Sequence, residues 1–335
     1  LDATDRQLLN LVQEAFPLSR RPYLDLARQL GLTEEEVLFR LRRLKEAGSI
    51  RRIGPVLDLQ AMGYAGTLCA LRAPEERLPE IAGAINSFPG VTHNYRRDHE
   101  QYNLWFTLTA PSRDELLRTL NEIRRQTGVE EILELPTVRR FKIRLRFDVE
   151  AAQTAAGTGD SEDRSRETAV FGPETPEGGR SLSEAEKEIV RLLQDDLALE
   201  AKPFLAAARR LGLTEEKLLT CLRNLQERGI LRRLGVIINP RNIGLTANAM
   251  VVWQVPEPEV DAAGRRLAAL PTVTHCYRRC PAPNWPYNLY AVIHGPTREE
   301  CERQARELAR SVGTRYPCRL LFSTTEFKKD RPRHL

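Results

Sequence analysis

The chain has 335 residues, a formal net charge of +5 and a sequence pI near 8.9. That length exceeds one ordinary domain, and no apolar run is long enough to span a bilayer, so membrane-spanning classes are set aside and a multi-domain protein of the cytoplasm is expected. Mild basicity suits nucleic acid or a polyanionic small molecule and decides between neither.

Thr4 with Gln7 forms a capping box for a first helix whose buried stripe is Leu8, Leu11, Val12 and Ala15. Pro22 suits the first turn of a second helix that ends at Gly31. Thr33 and Glu36 cap a third, with Val37, Leu41 and Leu44 facing inward until Gly48 stops it. Two short strands, Ile50 to Ile53 and Val56 to Leu59, are predicted on either side of Gly54-Pro55, which makes a winged helix-turn-helix.

The next ninety or so residues alternate strand, helix, strand, strand, helix, strand. The strands are predicted at Gly66 to Arg72, Val91 to Arg97, Tyr102 to Thr109 and Ile132 to Phe147, with helices at Leu78 to Phe88 and Arg113 to Gln126. That order is the ferredoxin-like βαββαβ unit. In the last strand Phe141, Ile143, Leu145 and Phe147 oppose Lys142, Arg144 and Arg146, so one face packs and the other is basic.

Residues 151 to 180 are rich in Gly, Ala, Thr, Glu and Pro, the composition of a flexible linker. Beyond them the chain starts again. Ala27-Arg-Gln-Leu-Gly-Leu-Thr returns as Ala208-Arg-Arg-Leu-Gly-Leu-Thr, and Gly48-Ser-Ile-Arg-Arg-Ile-Gly returns as Gly229-Ile-Leu-Arg-Arg-Leu-Gly. Ser183 with Glu186, Pro203, Gly212 and Thr214 repeat the helix punctuation. The expected fold is α+β, a tandem repeat of winged helix-turn-helix plus ferredoxin-like domain. Its divisions fall at 1–60, 61–150, a linker at 151–181, 182–241 and 242–330. The cysteines, Cys69, Cys221, Cys276, Cys280, Cys301 and Cys318, do not repeat with the halves, which points to reduced thiols. Cys276 and Cys280 have the spacing that opens an iron–sulfur motif, but its third position is Pro283, which argues against a cluster.

One stretch inside the repeat carries chemistry. Thr92-His-Asn-Tyr-Arg-Arg97 leads into Tyr102-Asn-Leu-Trp105, and Thr274-His-Cys-Tyr-Arg-Arg279 leads into Tyr287-Asn-Leu-Tyr290. Alternation along a strand puts His93, Tyr95 and Arg97 on one face and Thr92, Asn94 and Arg96 on the other, and His275, Tyr277 and Arg279 repeat the first set. For one copy, packed aromatics with solvated arginines are a sufficient account. Two copies favour a polar pocket for an anion.

The architecture resembles the Lrp/AsnC family of bacterial regulators over nearly the whole of each half. Taken alone, that resemblance implies a DNA-binding regulator whose third helix enters the major groove and which senses a small effector such as heme. That helix opens Thr33-Glu-Glu-Glu36, and carboxylates there disfavour a phosphate backbone, so nucleic acid is not the expected partner. The His-x-Tyr-Arg-Arg block ahead of Tyr-Asn-Leu is similar to the siroheme decarboxylases, an Lrp-like enzyme branch, here with both subunits on one chain as in the pathway to heme d1. The second half departs from the first in having Cys280-Pro-Ala-Pro-Asn-Trp-Pro286 where the first has Asp98-His-Glu-Gln101, so His99 has no counterpart and the halves should differ in role.

The resemblance implies loss of two acetate carboxylates from siroheme as carbon dioxide, giving 12,18-didecarboxysiroheme, by a carboxy-lyase with no cofactor of its own, the iron belonging to the substrate. A substrate with eight carboxylates asks for guanidinium and ammonium groups. Arg96, Arg97, Arg278 and Arg279 are the main candidates, Lys142 and Lys328 weaker ones, with His99, Tyr102, Trp105 and Tyr287 as further substrate contacts. His93 or His275 is assigned as proton donor, with Tyr95 and Tyr277 as partners; either histidine is equally suited to ligate the substrate iron, and that choice stays open. No protein-bound metal site is expected. Trp285 is a further candidate for a tetrapyrrole face, whereas Trp253 reads as core, and His294 and His334 read as incidental. The expected partners are the siroheme substrate and the other half of the same chain as a pseudo-dimer, with no membrane; further oligomerisation is left open.

Overall fold

The computed structural model describes residues 1–14, 16–143 and 182–329. Ala15, the stretch Arg144 to Phe147, the linker and His334 lie outside the described residues. The first half runs α1 (Ala3–Glu14), α2 (Pro22–Leu30), α3 (Glu34–Glu46), β1 (Ile50–Leu57), β2 (Ala65–Leu71), α4 (Leu78–Asn86), β3 (Val91–Arg97), β4 (Leu104–Ala110), α5 (Arg113–Thr127) and β5 (Ile132–Ile143). The second repeats it as α6 (Glu184–Asp195), α7 (Pro203–Arg210), α8 (Glu215–Glu227), β6 (Leu231–Ile238), β7 (Ala247–Trp253), α9 (Val260–Ala269), β8 (Val273–Arg279), β9 (Leu289–Gly295), α10 (Arg298–Val312) and β10 (Cys318–Lys329). Among the described residues no helix is long and apolar enough to cross a membrane.

Helix starts follow their caps. Ser183 and Glu186 form the expected box, and Thr33 accepts from the Glu36 N–H. At α1 the box is one turn-start earlier than Thr4 and Gln7: the Asp5 N–H donates to Asp2 Oδ1 at 2.7 Å and the Asp2 N–H returns the bond to Asp5 at 3.3 Å. A short acidic side chain at that position also suits the positive end of the helix.

The expected hairpin about Gly54-Pro55 does not form. β1 is one strand, and it pairs antiparallel with β6 of the other half, Gly54 opposite Gly235. The glycines permit a close approach rather than a turn: a Cβ on Gly54 would lie 3.0 Å from the Leu193 carbonyl of α6, and one on Gly235 would lie 2.9 Å from the Val12 carbonyl of α1. Each strand of the ribbon therefore lies on the opposite half's first helix. The two helical units share one core, in which Leu8, Val12 and Leu41 join Leu193, Phe204 and Leu222.

The cations of α3 are engaged within the chain. Arg40 bonds Asp2 (2.7 Å), Asp5 (2.9 Å) and Glu36 (2.6 Å), and Arg43 bonds Asp5 at 2.5 Å. Arg42 donates to the Leu199 carbonyl at 2.6 Å, and Lys45 pairs with Asp196 of the second helical unit.

The second exchange builds the barrel. β5 pairs with β2 along Ile132–Pro136 and then crosses to β8 along Thr137–Ile143. β10 pairs with β7 along Cys318–Phe322 and crosses to β3 along Ser323–Lys329. The eight strands close in the order β10, β3, β4, β2, β5, β8, β9, β7, with no free edge. Phe141 thus packs in the core of the second half, over Gly264, where a Cβ would fall 2.2 Å from its ring. That contact explains a glycine in the middle of α9, where it otherwise costs about 1 kcal/mol. Inward-facing Ala70, Leu135, Met250 and Leu321 join Trp105, Trp285 and Tyr290 inside the barrel.

Candidate active site

β3 and β8 place His93, Tyr95 and Arg97, and His275, Tyr277 and Arg279, on the inner face, as the alternation predicts. The His end of each strand lies toward the helical units, because Val91 pairs with Leu108 near the end of β4 that meets the start of β2. Arg97 is 7% exposed and donates from Nη1 to the Leu321 carbonyl at 2.9 Å, with its guanidinium 5.8 Å from the Tyr95 ring. Arg279 is 8% exposed, donates to the Leu135 carbonyl (3.0 Å) and Thr137 Oγ1 (2.9 Å), and sits 4.8 Å from Tyr277. Neither Nε has an acceptor among the described residues. Burial lowers both guanidinium pKa values, that of Arg97 to about 10; a guanidinium is not deprotonated in proteins, so both side chains are cations. Burial also raises both phenols above their ordinary value, so Tyr95 and Tyr277 are neutral hydroxyls, each backed by a buried cation.

The other arginine of each pair faces out. Arg96 pairs with Glu75 at 2.9 Å, and Arg278 with Asp261 at 3.1 Å and with Glu257. A carboxylate on the neighbouring helical side satisfies each of them, which removes Arg96 and Arg278 as clamps for a ligand in the barrel. Lys142 and Lys328 are also spent elsewhere, donating to the Leu270 carbonyl at 2.7 Å and the Asn86 carbonyl at 2.8 Å, where they satisfy the C-terminal carbonyls of α9 and α4.

His99, Tyr102, Trp105 and Tyr287 are brought together, but at the far end of the barrel from His93. The His99 ring is 5.2 Å from Trp285, which is 5.6 Å from Tyr102, 5.3 Å from Trp105 and 4.8 Å from Tyr287. His99 Nδ1 accepts the Tyr102 N–H at 3.0 Å, the Tyr102 hydroxyl donates to Glu131 at 2.8 Å, and Arg319 donates to the Tyr287 hydroxyl at 2.9 Å. Trp105 and Trp285 are 1% and 2% exposed. These rings form a plug, not a tetrapyrrole face, because the insertion at Cys280 to Pro286 folds Trp285 into the barrel.

Space opens at both ends of the barrel: a shallow depression of about 450 Å³ beside the plug, lined by Glu131, Glu134, Pro281 and Asn284, and a small cleft under Tyr95. This small cleft, about 20 Å³, is lined by Tyr95, Glu326, Ser323, Asn248 and His294 from the barrel and by Arg241 and its neighbours from the β6–β7 connection. Both halves contribute. Glu326 stands in register with Tyr95, and Arg51 of the ribbon reaches it at 3.2 Å. Ser323 donates to Asn248 Oδ1 at 3.1 Å, so the Asn248 amide faces His294 Nε2 at 2.8 Å and leaves the imidazole proton on Nδ1. Thr274 Oγ1 lies 3.4 Å from that Nδ1 and 3.1 Å from His275 Nδ1. His93 stands 6.1 Å from Tyr95, ring to ring, and its Nδ1 is 2.9 Å from Thr92 Oγ1. His294, read as incidental from the sequence, is thus a wall of the cleft, and Asn248, Arg241 and Glu326 were not singled out at all. Each stands where the halves differ: His294 pairs with Asn248 where Thr109 pairs with Gly66, and Glu326 faces Tyr95 where Arg140 faces Tyr277.

Beneath Tyr277 stands an ion triad. Asp58 Oδ2 takes bonds from Arg140 (2.8 Å) and from Nε and Nη2 of Arg232 (3.0 and 2.8 Å).

Two helix-turn-helix units, each followed by a strand-exchanged βαββαβ unit whose barrel carries a cleft, define an AsnC-type ligand-binding architecture. The model of the AsnC-like ligand binding domain matches residues 61–142 and 242–328, and that of the siroheme decarboxylase NirDL-like HTH domain matches 5–51 and 186–232. The siroheme decarboxylase of Hydrogenobacter thermophilus is 38% identical over 327 residues, covering 97% of this chain and 93% of that protein. The siroheme decarboxylase alpha subunit of Desulfovibrio desulfuricans is 48% identical over 147 residues, 44% of this chain and 84% of the subunit. A crystal structure of the siroheme decarboxylase NirDL superposes with a TM-score of 0.73 at 34% identity, over 99% of this chain and 94% of that one; a second crystal structure holds an iron-uroporphyrin III analogue. The chain belongs to the siroheme decarboxylase family.

Proposed function

We propose that this chain is a carboxy-lyase that removes two acetate carboxylates from siroheme as carbon dioxide, to give 12,18-didecarboxysiroheme, and that it needs no cofactor of its own. In each event the bond between methylene and carboxylate breaks, its electron pair stays with the ring substituent, one proton is taken up, and the acetate becomes a methyl group. The macrocycle spreads the transient charge, so the protein has to supply binding and a proton.

The observation that carries this reading is the cleft shared by both halves, where Tyr95, His294 and Glu326 meet over the buried charge of Arg97. Among the described residues Arg97 has no carboxylate partner within ion-pair distance, so its field is directed at an incoming anion; at an effective dielectric of about 20 and a separation of about 6 Å the attraction is roughly 2–3 kcal/mol. Arg241 at the rim adds a cation for a peripheral carboxylate, whereas Arg51 is held by Glu326. His294, with its proton on Nδ1, and His93 beside Tyr95 are the proton-carrying groups, and the Tyr95 hydroxyl orients the reacting carboxylate. At about 20 Å³ the cleft is far below the size of a ligand site and admits no more than a small group such as one acetate, so the ring itself stays at its mouth with its remaining carboxylates outward.

The regulator reading is disfavoured by α3, whose arginines are held by Asp2, Asp5, Glu36 and Leu199 instead of facing outward for phosphate. We place the reaction in the cytoplasm, consistent with six unpaired thiols. Anaerobic incubation with siroheme tests the proposal: the ring mass should fall by two carbon dioxide units, and unchanged siroheme after prolonged incubation overturns it.

A further inference from the structure

The repeated histidines are held by hydroxyls in both halves, but the hydroxyls are arranged differently. Between Val91 and His93 two residues of β3 stand against one of β4, and between Val273 and His275 two of β8 stand against one of β9. Such a bulge re-aims side chains. It brings Thr92 Oγ1 within 2.9 Å of His93 Nδ1 and Thr274 Oγ1 within 3.1 Å of His275 Nδ1. Both threonines are buried, so neighbouring acceptors in the protein decide where their hydroxyl protons point.

A hydroxyl has one proton to give and two lone pairs with which to receive. Thr274 Oγ1 lies 3.0 Å from the Val292 carbonyl oxygen, and two oxygens at that distance need a proton between them, which only the threonine can supply. With its proton placed there, Thr274 meets both neighbouring imidazoles as an acceptor: His294, whose proton is on Nδ1, at 3.4 Å, and His275. Neutral His275 therefore carries its proton on Nδ1 and its lone pair on Nε2.

In the first half the residue paired with His93 is Thr107, where Val292 pairs with His275. Thr107 Oγ1 lies 2.6 Å from Thr92 Oγ1 and 3.4 Å from His93 Nδ1. Two hydroxyls that share one bond have one proton over. Whichever of them holds it, its acceptor among the described residues is His93 Nδ1, so neutral His93 carries its own proton on Nε2.

We propose that Thr107 and Val292 are positioning residues that set opposite tautomers on the two repeated histidines, so that His93 presents an N–H from Nε2 and His275 presents a lone pair. A ring that presents an N–H holds a carboxylate oxygen or passes on a proton; one that presents a lone pair repels an anion and takes a proton instead. On the siroheme reading, on which this part rests, the histidine that faces a carboxylate is His93, beside Tyr95, and His275 does not replace it.

Valine and threonine have nearly the same shape, so the two positions can be exchanged. Thr107→Val removes the extra proton beside His93, and Val292→Thr supplies one beside His275. The full chain, isotopically labelled at its histidine nitrogens, is read by two-bond nitrogen–proton correlation at about pH 8, above the ordinary imidazole range, with His93→Gln and His275→Gln assigning the signals. The unaltered protein should show His93 protonated on Nε2 and His275 on Nδ1. Thr107→Val should move His93 to the Nδ1 form and lower siroheme turnover by about 10²-fold, and Thr107→Ser, which keeps the hydroxyl, should preserve both. One tautomer on both histidines of the unaltered protein, or signals that stay in place in a Thr107→Val protein of unchanged melting temperature, overturns the proposal. A tautomer change without loss of turnover overturns the role given to His93. Expected tautomers in an unaltered protein that leaves siroheme intact overturn the siroheme reading and leave the tautomer assignment standing. Should Thr107→Val melt early, Val292→Thr is read by the same criterion at His275, which should move to the Nε2 form.

Discussion

Beneath Tyr95 the barrel and the β6–β7 connection leave a cleft; beneath Tyr277 the same strands close over an ion triad of Asp58, Arg140 and Arg232. Both sides keep the histidine, the neutral phenol and the buried guanidinium stacked behind it, so what the halves share is a frame. What separates them is a handful of inward positions at which one half changed: Glu326 against Arg140, His294 against Thr109, Asn239 against Asp58. In a duplicated chain the shared motif locates the site, and the departures from it show how the two copies differ.

The sharpest way to break that contrast is to remove the imidazoles one at a time. His294→Ala and His93→Ala should each lower turnover of siroheme by about 10²- to 10⁴-fold, the usual loss on deleting a proton-transfer group. His275→Ala, which reaches the cleft through Thr274 and His294, should lose far less. Single-turnover mass analysis of the three variants decides it. Equal losses for His275→Ala and His294→Ala would mean that the two sides work alike.

Next in size is the plug. Trp285→Ala should destabilise the fold by about 3–5 kcal/mol, seen as a lower denaturation midpoint, because it empties the centre of the aromatic cluster. Any protein that stays folded should still bind the iron ring, since the plug and the cleft lie at opposite ends of β3. Loss of binding in a folded Trp285→Ala protein would join the two ends into one site.

A third comparison is between the buried cations. Arg97→Met should raise KM for siroheme on the order of tenfold, the loss of one charged interaction, and leave kcat closer to its original value. Arg279→Met, on the side of His275 and the Asp58 triad, should leave KM alone and keep or raise the melting temperature, as replacing an uncompensated buried charge by an apolar side chain tends to do. Matching KM shifts in the two variants would erase the distinction.

Much of this is legible in the sequence. Helix starts are local, so Ser183, Thr33 and Pro22 announced them, and strand alternation put His93, Tyr95 and Arg97 on one face correctly. The strand exchange was not legible, because the periodicity of Phe141 and Lys142 says that a face is buried and not against which half; the same ambiguity made Gly54-Pro55 read as a turn. The outward pairing of Arg96 and Arg278 depends on Glu75 and Glu257, which only the folded chain brings near. His294, Asn248 and Glu326 escaped because a search for what the halves share passes over what they do not.

The smallest effect expected lies at His99, in the plug, and it separates the two ends of β3 by pH. Burial, with Arg319 adding to it, lowers the His99 pKa, while Asp98 and Glu100 oppose the shift, and the ring serves the fold as a neutral acceptor for the Tyr102 N–H. A histidine with a depressed folded pKa binds fewer protons in the native state than in the unfolded one at pH values just below about 6.5. Its contribution is therefore present above that pH and is lost as pH falls toward the folded pKa. His99→Asn keeps an oxygen for the N–H and removes the titration, so its denaturation midpoint should fall less between pH 7 and about pH 5.5 than that of the unaltered protein. Parallel midpoints would show that His99 protonates without cost in the plug. Loss of siroheme turnover in the same variant would bring His99 back to the chemistry from which its position on the far rim of the barrel has removed it.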